Sequence, residues 1–69
     1  MFNQNKLKAQ MALANISAKD LAKEMGINES TLYRKIQNDG NFTRSEINSM
    51  ISILRIEDPA DIFFADELA

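Results

Sequence analysis

Residues 17–36 read SAKDLAKEMGINESTLYRKI and hold two short helical patterns that meet at a glycine. Ser17 with Asp20 three residues on fits a capping box with Asp in place of Glu, and Leu21, Ala22 and Met25 give the first pattern an apolar face. Gly26 ends it, because a left-handed residue after a helix costs glycine little. Ile27 is expected as the buried pin of the turn. Asn28 is expected as the cap of the next helix, whose core residues Leu32 and Ile36 stand at i, i+4. The small Ala22 sits where two helix backbones must come close. The order helix, tight turn, helix over residues 17–37 is a helix-turn-helix pattern, and the rest of the chain is read around it.

Upstream, Asn3 is a good N-cap, and Phe2 and Leu7 have the spacing of a hydrophobic staple. Leu7, Met11 and Ala14 recur at i, i+4, i+7, predicting a first helix to about residue 14 with Ile16 as a buried linker. Downstream, Asn38-Asp39-Gly40-Asn41 is a loop on composition. Thr43 and Glu46 form a second capping box, ahead of Ile47, Met50, Ile51 and Leu54 on one helix face. Asp58-Pro59 sets an N-cap and a proline at N1, so a short last helix is expected from Pro59 to about Ala65. The fold class is all-α, a compact five-helix domain over residues 1–69.

Composition removes most chemistries. With no cysteine and no histidine, the chain has no disulfide, thiolate metal site, cysteine nucleophile or imidazole base. No enzyme, cofactor, metal or small-molecule substrate is expected, since the remaining carboxylates and amines offer no plausible base of tuned pKa. Apolar runs such as Ile62-Phe63-Phe64-Ala65 are far too short to span a membrane, and MFNQNK lacks the apolar block of a signal peptide, so a cytoplasmic protein is expected. The net charge of −2 is unevenly placed. Residues 1–56 hold all eight Lys and Arg against five acids, a net of +3, whereas residues 57–69 hold five acids and no base. That acidic end reads as a solvated helix and tail, or as an electrostatic contact with another basic protomer or protein, or as a brake on non-specific DNA binding.

A helix that reads DNA needs a narrow polar face backed by an apolar one that fixes its angle. Residues 28–38 supply both. With Leu32 and Ile36 turned inward, Glu29, Ser30, Tyr33, Arg34 and Gln37 point outward. Arg34 is the first candidate base reader, because its planar fork can donate two hydrogen bonds to guanine O6 and N7. Glu29 can accept from a cytosine amino group or simply favour the positive helix N-terminus. Ser30 is adaptable, and the Thr31 methyl suits a thymine methyl. Tyr33 fits either a surface aromatic or a phosphate ligand. Lys19, Lys23 and Lys35 fit solvated charges, Lys35 lying toward the flank. For phosphates, the helix N-termini at Ser17 and at Thr43-Arg44 are preferred, where backbone N–H groups point at an anion.

The segment resembles the helix-turn-helix of the phage repressor and Cro superfamily: LAKEMGI matches its L-A-x-x-[apolar]-G-[apolar] block, and STLYRKI its S-T-[apolar] opening of the recognition helix. MFNQNKLK and DIFF are also similar to the ends of short phage proteins of this class. The resemblance implies the third helix in the major groove and frequent dimer binding to two operator half-sites. It puts base-facing positions at Glu29, Ser30 and Arg34, and backbone-contacting positions near Ser17, Lys19, Asn41, Thr43 and Arg44. Two departures stand out. Met11 and Ile36 occupy the places where many members pair an Arg with a Glu, so an apolar contact between the first and third helices is expected instead. Lys35 stands where the second apolar residue of the recognition helix is usual, with Ile36 one step later.

Ile53 lies off the buried stripe of the fourth helix, and Ile62, Phe63 and Phe64 are consecutive, so at least one large apolar side chain is expected outside the core. Such residues suggest a weak homodimer formed mainly on DNA through Ile53 and one of Phe63 or Phe64, although scattered surface hydrophobes are also ordinary. The reading is a Cro-like or small-repressor transcriptional regulator with a double-stranded DNA operator as partner. The alternatives are a protein-binding antirepressor or regulatory module on the same scaffold, and an excisionase-like architectural DNA binder.

Overall fold

All five helices open on the residue that the sequence marks as a cap, and three of those caps, Asn3, Ser17 and Thr43, make a side-chain bond, whereas Asn28 and Asp58 make none. In the computed structural model, which describes residues 2–64, α1 (Gln4–Ala14) starts at Asn3, whose Oδ1 accepts the Lys6 N–H at 3.0 Å. α2 (Ala18–Met25) starts at Ser17, whose Oγ accepts the Asp20 N–H at 3.1 Å. α4 (Arg44–Leu54) starts with the full capping box: Thr43 Oγ1 accepts from Glu46 N–H at 3.1 Å and Glu46 Oε1 accepts from Thr43 N–H at 2.8 Å. Each bond satisfies a donor that the first turn leaves without an intrahelical acceptor. Asn28 does hold the N-cap position of α3 (Glu29–Gln37), but its side chain makes no cap bond, contrary to expectation. α5 (Pro59–Phe63) has the expected proline in its first turn and is shorter than expected; Ala65 lies outside the described residues.

Three of the five helices end on left-handed residues. Gly26 at φ +75 closes α2, and Asn15 (φ +56) and Arg55 (φ +53) close α1 and α4. Gly26 is favoured by its backbone angle alone, since a Cβ there would meet nothing within 4 Å. Gly40 is required twice over. It has φ +67, and a Cβ on it would come within 2.3 Å of the Phe2 ring.

α2 is the hub, packing against both α3 and α4, while α1 lies on α4 and α5. Leu7, Leu21, Leu32, Met50 and Leu54 are fully buried, joined by Phe2, Ala22, Ile36, Ile56, Ile62 and Phe63. Met11, Ala14, Ile16, Met25 and Ile27 are only partly buried at the margin, so the expected linker and turn pins are half-covered. Met11 lies partly buried against the core in which Ile36 is buried. α3 rests chiefly on α2, and α1 on α4 and α5. Phe2, Phe42 and Phe63 form an aromatic cluster with ring centroids 5.8 to 6.3 Å apart, two of the three pairs edge to face. That cluster joins the N-terminus, the α3–α4 loop and α5. The Asn3 N–H adds a bond to the Ile62 carbonyl at 2.6 Å, and Lys6 an ion pair with Asp61.

Candidate nucleic-acid interface

α3 presents the face that a reading helix needs. Leu32, with no exposure, and Ile36, at 6 %, fix its inner side, and Ser30, Arg34 and Gln37 at i, i+4, i+7 run along its exposed side. Glu29 is exposed in the first turn, and Tyr33 is 47 % exposed beside the central row. Thr31 is half-buried on the opposite flank. Arg34 makes no ion pair or side-chain hydrogen bond among the described residues, so its five donors face solvent. The sequence departure at Lys35 resolves as a rotation: Ile36 takes the buried place and Lys35 turns to the flank.

Lys35 is not the unpartnered solvated charge that was expected. Its ammonium lies 3.2 Å from Glu46 Oε1, the same oxygen that accepts the Thr43 N–H, and the two side chains are only 24 % and 18 % exposed. The Glu46 carboxyl is held below its ordinary pKa by the Thr43 N–H bond and then by the Lys35 contact, against an opposing push from burial.

The residues expected at phosphates lie at helix starts and the loop. Ser17 and Lys19 stand at the start of α2, Asn41 in the loop, and Thr43 and Arg44 at the start of α4, all exposed. The Ser17 and Thr43 hydroxyls each accept one backbone N–H, which leaves each O–H hydrogen available to donate to an anion. The start of α3 differs: with the Asn28 side chain unengaged, the N–H groups of its first turn keep no side-chain acceptor.

The residues expected at a dimer contact are not alike. Phe63 is 7 % exposed and belongs to the aromatic core, because α5 turns it toward Phe2 and Phe42. That removes it from the surface. Phe64 is 43 % exposed and Ile53 is partly exposed. The most exposed large apolar side chain among the described residues was missed: Leu13, at 81 %, on a shallow groove with Ala14, Ile16 and Ile53. The stripe at Leu7, Met11 and Ala14 already puts residue 13 off the buried face, so the signal was in the periodicity. Of the acidic end, Glu57 and Asp58 are exposed at the turn before α5, and Asp61 pairs with Lys6, whereas Asp66 and Glu67 lie outside the described residues.

Among the described residues, no group of acidic side chains is placed to hold a metal ion, and no helix is long and apolar enough to cross a membrane. A family model described as a Cro/C1-type HTH DNA-binding domain matches residues 6–66. No curated protein and no solved structure matches the chain.

Proposed function

The chain belongs to the Cro/C1-type HTH DNA-binding domain family, and from that premise we propose that it is a sequence-specific transcriptional regulator of the Cro or small-repressor type, which occupies an operator with α3 in the major groove. The observation that carries this reading is the exposed row Ser30, Arg34, Gln37 on a helix whose inner face is fixed by Leu32 and Ile36. Arg34 donates to guanine, Glu29 accepts from cytosine or complements the helix dipole, and Ser30 and Thr31 fit the neighbouring base edges. Ser17, Lys19, Tyr33, Asn41, Thr43 and Arg44 hold the phosphates, with backbone N–H groups at the starts of α2 and α4 as the fixed donors.

A weak dimer formed mainly on DNA goes with this reading. It draws on Ile53, Phe64 and the exposed Leu13 rather than on Phe63, and two-fold symmetry then sets half-sites about 34 Å apart.

Selection from a random duplex library followed by gel shift tests the function. One enriched sequence, bound at least about 10³-fold tighter than random DNA, is the expected result. Equal binding to every duplex would turn the reading to an architectural role. No binding at all would turn it to a protein-binding module.

A further inference from the structure

Base reading falls on α3 and one of the phosphate-anchoring helix starts on α4, and neither helix is packed chiefly against the other; both rest on α2. The loop between them contains two successive left-handed residues, Asp39 at φ +57 and Gly40 at φ +67. A reading side chain must be held within about 0.5 Å of its productive place. Something has to fix the offset between the two helices.

Lys35 does this from both of its ends. Its carbonyl accepts the N–H groups of Gly40 and Asn41 at 3.0 and 3.3 Å, which closes the loop onto the end of α3. Its ammonium crosses to Glu46 Oε1, and that oxygen is already fixed by the N-cap of α4. Resting on the DNA-reading function above, we propose that the Lys35–Glu46 pair is a positioning link that sets the base-reading row of α3 against the phosphate-binding start of α4, so that Lys35 and Glu46 determine specificity without touching DNA. A half-buried ion pair can serve stability alone, and a flank lysine can serve as a phosphate ligand. Each of these roles gives a different pattern of loss.

The experiment uses the full chain, a duplex enriched by the wild type from a random library, and a scrambled duplex of equal length. Lys35→Met removes the ammonium. Glu46→Gln keeps an oxygen for the Thr43 N–H and the capping box but removes the charge. Each is expected to weaken the enriched duplex roughly tenfold, the discrimination of one misaligned bidentate reader, and to leave the scrambled duplex and its salt slope unchanged. The double variant is expected to be no weaker than either single one, and Lys35→Arg to restore selectivity. Thermal unfolding close to that of the wild type shows that the fold is kept. Equal loss on both duplexes, with the salt slope reduced by about one, would make Lys35 a phosphate ligand and overturn the proposal. Wild-type selectivity in both single variants, or additive losses in the double, would overturn it as well. A wild type that enriches no duplex removes the DNA-reading function itself and the positioning link with it.

Discussion

α3 and α4 start on the same candidate interface, and they are built in opposite ways. The start of α4 is closed by its own neighbours: Thr43 and Glu46 exchange two bonds within a single turn. The start of α3 has an Asn in the N-cap position whose side chain makes no bond, so its place depends on Leu32 and Ile36 beneath it and on Lys35 at its flank. The difference suits the tasks proposed for them. An anchor serves every DNA sequence and can be locally rigid. A reader must present donors and acceptors to bases, and its support is best placed on the face away from them.

The sharpest way to break this comparison is to remove the support under α3. Ile36→Ala is expected to destabilise the domain by about 2–5 kcal/mol, a severe loss for a chain of this size, and denaturant unfolding measures it. A small effect would mean that α3 does not depend on the core as described. Next in size is the functional split between the helices. Arg34→Ala should cost about 1–3 kcal/mol on an enriched duplex and little on random DNA. Arg44→Ala should weaken both alike and lower the salt slope by about one unit. If the two variants exchange behaviours in gel-shift titrations, reader and anchor have been assigned to the wrong helices.

The caps sharpen the same contrast at lower energy. Thr43→Ala is expected to cost about 1 kcal/mol of stability, because it leaves the Glu46 N–H without its acceptor, whereas Asn28→Ala should stay within about 0.5 kcal/mol. Comparable losses in thermal melts would show that the two helix starts are alike after all. The smallest effect is in acid. Because the folded pKa of Glu46 is lowered, its contribution is complete above the pKa of the unfolded chain and is lost as pH falls through the folded value. The wild type should therefore lose more stability than Glu46→Gln between neutral pH and the range below the ordinary carboxylate pKa. Parallel pH profiles would mean that the charge on Glu46 does not hold the start of α4.

Much of the outline was legible from local signals. Asn3, Ser17 and Thr43 declared three helix starts, Gly26 and Pro59 the turn and the last helix, and Leu32 with Ile36 the inner face of α3. These succeed because a cap, a left-handed glycine and an i, i+4 apolar pair are satisfied within a turn or two of chain. The candidate site was legible to the same extent, since burying two residues of a helix decides which others face out. Asn28 shows the limit, because the same residue type can take the cap position and still leave its side chain unbonded.

The sequence by itself determined the helices, their order and the polar row on α3, because those follow from bonds and side-chain spacing within each segment. Only the tertiary structure decided that Lys35 belongs to Glu46, that Phe63 joins Phe2 and Phe42 in the core while Phe64 stays outside, and that Gly40 must clear the Phe2 ring. Each of these depends on residues that come together only once α3, α4, α5 and the N-terminus are packed around α2 and α1. Spacing along a chain states which way a side chain leaves its helix, and packing alone states what it meets.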